Sequence, residues 1–204
     1  MRTYKVKFTT DTDVSDVDTA LKKLGVRTWD IAIFGDGSGS GWNVGVGWGA
    51  TLVERKSGNR KTFYGGMSQG TVSIAELMPY IHALSWYTEH GKRVGDESVS
   101  TKVVLVSDSQ VLVTSGQKFA EARYAMSGVT WAREYWAAIA EFARRGYRFQ
   151  YVWAARETTA LNVFADALAR TAFYAMKILP KPVFTDADTP VSPYECNPDQ
   201  EPEA

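Results

Sequence analysis

Val103-Val104-Leu105-Val106 is an unbroken apolar run between Lys102 and Ser107. A strand with one wet face alternates apolar and polar residues; a strand that is apolar throughout must be covered on both faces. This short segment therefore demands a sheet with helices on each side. The rest of the chain supplies the parts. Ile31-Ala32-Ile33-Phe34 is a second short apolar strand, and it runs into the glycine-rich stretch Gly35-Asp36-Gly37-Ser38-Gly39-Ser40-Gly41. Val44 to Glu54 alternates around glycines, and Lys61 to Met67 reads as a third strand. Three strands joined by short Gly- and Asn-containing turns predict an antiparallel meander. Helical spacing follows over Ser73–His90, with a short helix after Asp108, a helix over about Trp131–Arg145, a strand over Tyr147–Ala154 and a last helix over Thr159–Met176. The order β-β-β-α-β-α-α-β-α predicts an α/β fold whose sheet is mixed and flanked by helices on both faces.

Outside this unit lie two flanks. Residues 1–28 read as a small N-terminal extension, with a strand-like Tyr4-Lys5-Val6-Lys7-Phe8 and a short helix from Ser15 to Leu24 that Gly25 ends. Residues 29–178 form the main domain. Residues 179–204 are proline-rich and acidic and read as a solvated, disordered tail. Cys196 is the only cysteine, so no intrachain disulfide exists, and the N-terminus has no apolar secretory segment. The simplest setting is cytoplasmic, away from membranes. The net charge of zero conceals an asymmetry. Six acidic residues and no Lys or Arg follow Phe184, which leaves residues 1–184 with 23 basic and 17 acidic groups, a balance of +6. That balance is compatible with a polyanionic partner.

Four acidic residues sit at strand ends or on helices flanking the same sheet: Asp36, Glu76, Asp108 and Asp166. Each has an ordinary explanation when taken singly. Asp36 can cap a turn, and Glu76 can close a capping box with Ser73. Asp108 can cap the next helix, and Asp166 can pair with Arg170 one turn on. Together they can meet at one point, where they repel one another unless divalent cations fill the site. Hard cations held by carboxylates are a recurring solution for phosphodiester hydrolysis. Other motifs recede. The glycine-rich stretch opens a strand rather than a helix, which excludes a dinucleotide fingerprint. His82 and His90 share a helix without cysteine partners and read as surface or packing residues. Trp131, Tyr135 and Trp136 fall on one helical face and read as core. No nucleophile elbow, P-loop or zinc spacing is present.

The set Asp36-Gly37-Ser38, Ala75-Glu76-Leu77, Ser107-Asp108-Ser109-Gln110 and Asn162-x-x-x-Asp166-x-Leu168-Ala169 resembles type 1 ribonuclease H over about residues 30–176. The resemblance implies a ribonuclease H-like fold, with a mixed sheet of five strands of which the first three are antiparallel. It implies that Asp36, Glu76, Asp108 and Asp166 hold two magnesium ions, or manganese in their place, with an RNA–DNA hybrid as partner. One ion would lower the pKa of an attacking water and the other would stabilise the leaving 3′-oxygen, giving 5′-phosphate and 3′-hydroxyl ends. Thr71 and Arg55 match groups that anchor a DNA-strand phosphate. Ser73 and Gln110 match contacts to sugars and bases near the cut. Ser38 and Asn162 complete the matching substrate set. The backbone of Gly37 and the loop after it would approach the strand closely, and RNA would be recognised through its 2′-hydroxyls.

The chain departs from the family in places. Arg156 stands where many members have a mobile His; it cannot act as a general base, and its expected role is to hold the scissile phosphate or assist product departure. Val72 replaces a usual Asn, and Pro79 interrupts the early helix pattern. The Trp- and Lys-rich handle of some members is not evident between Gln117 and Thr130. The leading expectation is a monomeric hybrid-cutting endonuclease. Its rivals are a nuclease of the same fold acting on double-stranded RNA or branched DNA, and a non-catalytic nucleic-acid-binding module.

Overall fold

Both faces of Val103–Val106 are covered, and by different layers. Val103 and Leu105 belong to one apolar cluster and Val104 and Val106 to another. The first strand divides in the same way, with Ile31 and Ile33 on one side and Ala32 and Phe34 on the other. The computed structural model describes residues 14–40, 42–90 and 100–178. The elements are α1 (Val14–Lys23), β1 (Ile31–Gly39), β2 (Trp42–Glu54), β3 (Arg60–Thr71), α2 (Val72–His90), β4 (Thr101–Ser107), α3 (Gln110–Glu121), a 3-10 turn (Met126–Gly128), α4 (Arg133–Arg144), β5 (Tyr147–Trp153) and α5 (Ala160–Ile178). They build a five-stranded sheet in the order β3-β2-β1-β4-β5. β1–β2 and β2–β3 are antiparallel, whereas β1–β4 and β4–β5 are parallel. The mixed sheet and its helices match the expected fold class and element order.

On one face, α2, α3 and α4 bury Leu77, Leu84, Leu112, Trp136 and Ile139 against the sheet. On the other, α5 lies over β1 and β2. Its seat is unusually close. A Cβ on Gly49 would lie 2.4 Å from Leu168 Cβ and 2.6 Å from the Ala165 carbonyl oxygen, and one on Gly47 would lie 2.2 Å from the Phe173 nitrogen. No larger residue fits there without moving the helix backbone.

The β4–β5 half of that second face is covered by α1, so the described part of the N-terminal extension packs against the main domain. Val17, Leu21, Val26 and Trp29 are all nearly inaccessible and pack with Val104, Val106 and Val152. The local chemistry explains how. Gly25, at φ 83°, ends α1 in a Schellman motif: Val26 N–H donates to the Leu21 carbonyl (2.9 Å) and Gly25 N–H to that of Lys22 (3.0 Å). This turn folds Val26 back onto Leu21 and sends the chain to Trp29. The indole N–H of Trp29 then donates to Asp18 Oδ1 at 2.6 Å. The expected strand over Tyr4–Phe8 and the acidic tail lie outside the described residues.

A second difference concerns the start of α2. Thr71, rather than Ser73, is the cap: its Oγ1 accepts from the Ile74 N–H at 3.2 Å. Glu76 is thereby released from a capping role and is buried instead. The helix continues through Pro79. No helix among the described residues is long and apolar enough to cross a membrane.

If α1 is part of the core, Leu21→Ala should cost about 2–5 kcal/mol in urea unfolding, as for other buried Leu truncations. A loss below about 0.5 kcal/mol would mark α1 as a peripheral attachment.

Candidate active site

The ladder between β1 and β4 ends at the pair Phe34–Val106, while β1 runs on to Gly39 and β4 stops at Ser107. Asp36 and Asp108 each lie two residues beyond that last pair, at the carboxyl ends of two adjacent parallel strands. Open α/β sheets place their ligands at such ends. Two helices then bring further acids to the same point. α2 approaches β1 where Gly37 has no side chain; a Cβ there would lie 2.5 Å from the Ala75 carbonyl carbon and 2.6 Å from the Glu76 nitrogen. α5 approaches from the opposite face at Gly49, the cross-strand partner of Asp36. Glycine thus admits both acid-bearing helices where the acids must meet.

Asp36, Glu76 and Asp108 each offer a carboxylate oxygen within 4.8 Å of the other two. Asp36 and Glu76 are 4% and 8% exposed, which is rare for carboxylates outside a paired or ligating role. Asp36 accepts the Gly37 N–H at 2.8 Å. Burial pushes its carboxyl up to about 7, and the charge of Asp108 and a hydrogen bond with Asp166 push the same way. Burial also raises Glu76, with Asp36 and Asp108 adding to the effect. Ser107 Oγ lies 3.5 Å from Glu76 Oε2 and accepts the Ser109 N–H at 3.0 Å. Asp166 lies at the rim, with Arg170 Nε 3.0 Å from its carboxylate.

Arg156 stands over this cluster. Its Nε is 3.1 Å from Asp108 Oδ2 and 3.4 Å from Asp166 Oδ1, so one guanidinium bridges two of the acids. Burial alone would lower the pKa of Arg156; the fields of Asp166, Asp36 and Asp108 outweigh it and raise it. The donor set is all carboxylate oxygen, partly buried and held close against mutual repulsion. That suits a hard divalent cation better than an imidazole- or thiolate-seeking metal.

Not every expected residue is at this end. Glu54 pairs with Ile31 at the start of β1, and the N–H of Arg55 donates to the Asp30 carbonyl at 2.9 Å. Arg55 therefore lies opposite Asp30, at the other end of β1 from Asp36 and roughly 20 Å away at the rise of a strand. Its guanidinium is bound to Asp18 at 3.1 Å and lies over Trp29. This is a brace for α1, and the expected phosphate anchor is corrected accordingly. Thr71 caps α2, as described. Asn162 is buried and braces the start of α5, where Thr159 Oγ1 donates to its Oδ1 at 2.6 Å and accepts its N–H at 3.1 Å. Ser38 is half-buried on β1, whereas Ser73 and Gln110 are exposed at helix starts. His82 and His90 stack on Trp48 and Trp86, and burial lowers the pKa of His82, in keeping with packing roles.

Sequence reasoning missed two residues. Trp153, 45% exposed at the end of β5, donates its indole N–H to the Asp108 carbonyl at 3.0 Å. Tyr80, fully buried on α2, reaches both strands beneath the acids. Each was hidden because an aromatic on a strand or an apolar helix face reads as core.

The RNase H family model matches residues 29–174. The chain belongs to the RNase H family. Among curated proteins none matches the sequence. Solved structures with the same fold include the N-terminal RNase H domain of a Mycobacterium tuberculosis protein, at 21% identity and a TM-score of 0.54, covering 74% of this chain and 97% of that one. LC11-RNase H1, from compost by a metagenomic approach, was solved in complex with an RNA/DNA hybrid. It has 22% identity and a TM-score of 0.55 and covers 71% of this chain and 97% of that one. RNase H1 from Halobacterium salinarum has 23% identity and a TM-score of 0.51, covering 71% and 98%.

The raised pKa of Asp36 sets a pH signature for the metal-free RNase H domain. Between the ordinary carboxyl value of 3.8 and about 7, the unfolded chain ionises while the folded one keeps its proton, so stability falls as pH rises through this window. Asp36→Asn removes the penalty and keeps the acceptor for Gly37. Its Tm should exceed that of the wild type by roughly 5 °C at pH 8, with the gap closing toward pH 4. A variant less stable than wild type at pH 8 would contradict the repulsion argued above.

Proposed function

We propose that this chain is a metal-dependent endonuclease that hydrolyses the RNA strand of RNA–DNA hybrids, leaving 5′-phosphate and 3′-hydroxyl ends. The observation that carries this reading is the convergence of Asp36, Glu76 and Asp108, two of them buried, at the carboxyl ends of the sheet in a chain of the RNase H family. Burying like charges has no structural benefit. It is expected of a site that must hold cations beside a polyanion.

Asp36, Glu76 and Asp108 would hold magnesium or manganese, and Asp166 would complete a second position. Ions bound there would lower the proton affinity of an attacking water and stabilise the leaving 3′-oxygen. The residues of the chain do the rest. The carboxylates fix where positive charge sits relative to the scissile phosphate. Arg156, about half exposed between Asp108 and Asp166, would hold a phosphate oxygen and accompany the product outward. Ser38, Thr71, Ser73, Gln110 and Asn162, with the backbone at Gly37, are the proposed contacts to sugar, base edge and phosphate. Selection for RNA would rest on its 2′-hydroxyls.

Cleavage of labelled RNA–DNA hybrid, double-stranded RNA and branched DNA, with and without Mg2+, tests this directly. Only the RNA strand of the hybrid should be cut, and Asp108→Asn should reduce cutting to background while preserving hybrid binding and fold. Cutting of branched DNA or double-stranded RNA instead would reassign the substrate. Hybrid binding with no cutting in Mg2+ or Mn2+ would make the chain a non-catalytic binder.

Arg156 competes with a bound cation for Asp108 and Asp166. Arg156→Ala should therefore tighten Mg2+ binding by up to about fivefold, the scale of a half-exposed ion pair, while slowing cleavage. Calorimetric titration showing weaker Mg2+ binding in the variant would refute the competition.

A further inference from the structure

Tyr80 is fully buried on α2, one turn after Glu76, and its hydroxyl lies between two strands. It is 2.7 Å from the Val106 carbonyl and 3.1 Å from the Gly35 carbonyl, both of which accept from its single proton. These two carbonyls sit at the place where β1 and β4 cease to pair. Gly35 is followed directly by Asp36, and Val106 is followed, after Ser107, by Asp108. Burial keeps the phenol protonated and so a donor. Gly35 itself makes room for the ring: a Cβ there would lie 2.9 Å from Tyr80 Cζ.

We infer that Tyr80 is a positioning residue for the cation site: its hydroxyl ties β1, β4 and α2 together and so fixes the spacing of Asp36, Asp108 and Glu76. Without that proton, the tie between the two carbonyls and α2 is lost where the ladder has ended, and the strand ends are free to splay. Carboxylates spaced for a cation bind it less well once the spacing relaxes, and partners that orient metal ligands from behind commonly govern affinity by an order of magnitude or more. The inference rests on the cation reading proposed above and adds to it a residue that touches neither cation nor substrate.

Tyr80→Phe removes only the hydroxyl and retains the ring. Tyr87→Phe is the matched control, since Tyr87 lies on the same helix and donates to Glu54 Oε1 at 3.0 Å, away from the acids. Thermal unfolding of the full chain is titrated with MgCl2 without nucleic acid, and cleavage is measured against both Mg2+ and hybrid concentration. For Tyr80→Phe the Mg2+ concentration giving half of the thermal shift, and half-maximal cleavage, should rise about tenfold or more. KM for the hybrid at saturating Mg2+ should be unchanged, and Tyr87→Phe should match wild type in its Mg2+ response. Lower metal-free stability in Tyr80→Phe with an unaltered Mg2+ response would overturn the inference and leave Tyr80 a core hydrogen bond. Equal shifts in the two variants would also overturn it. A wild type without any Mg2+-dependent shift or cleavage would defeat the cation reading itself, and this inference with it.

Discussion

Nothing larger than hydrogen fits between sheet and helix at the positions that bring the acids together. Gly37 abuts the backbone of α2 at Ala75 and Glu76, and Gly49 abuts the backbone of α5 at Ala165. These two contacts lie on opposite faces of the β1–β2 pair, one residue apart in register from Asp36 or directly across from it. The distance from helix axis to sheet is ordinarily set by side chains. Here it is set by their absence, which lets short carboxylates from α2 and α5 reach a point that Asp36 also reaches. The rest of the site depends on this compression.

Compression has an electrostatic consequence. Asp36 and Glu76 lose water as the helices close; Asp108 raises the ionisation cost of both, and Asp36 raises that of Glu76. The structure offsets part of that cost with the guanidinium of Arg156 across Asp108 and Asp166, and of Arg170 on Asp166. Both cations come from the exposed rim; the buried pair Asp36 and Glu76 has no such direct partner among the ion pairs of the described residues. The deepest part of the cluster is thus its least compensated part. A small hard cation can go where an arginine side chain cannot, which is why the residual charge there suits a metal ion better than a further side chain.

Much of this was legible in the sequence, for identifiable reasons. The strand Val103–Val106 announced its two covered faces, and the acids were legible because they stand next to glycine or at strand ends in a recognisable order. Two kinds of information were not. Position along a strand relative to its neighbours was one: Arg55 follows β2 in sequence, but antiparallel pairing returns it to the start of β1, where Asp18 and Trp29 claim it. The direction of a buried polar atom was the other. Tyr80, Trp153 and Thr71 carry hydroxyl or N–H groups whose partners lie 26, 45 and 3 residues away. Apolar patterning records only that the first two are aromatic. For α1, ten residues with two fully buried apolar side chains looked too slight to matter. They matter because α5 lies over β1 and β2 and leaves the β4–β5 side of the second face to be closed by something else.

The two ends of β1 show how one sheet divides its tasks. At the amino end, the acids are partnered at short range: Asp18 with the Arg55 guanidinium, Asp30 Oδ2 with the Lys102 backbone N–H at 2.7 Å, Glu54 with the Tyr87 hydroxyl. Each acid there has a donor of its own, so this end gains cohesion. At the carboxyl end, four acids share one bridging arginine and a second on the rim, and the backbone beneath them is held by a phenol rather than by further strand pairing. Asp36 is already held in the sheet by its pairing with Gly49 of β2; continuing the β1–β4 ladder by two residues would draw Asp108 into the sheet beside it. Ending the ladder early, and stitching its last carbonyls with a buried hydroxyl, leaves Asp108 free to turn toward Asp36. The loss of two backbone pairings is therefore the structural condition of the site, and Tyr80 is what keeps that loss local.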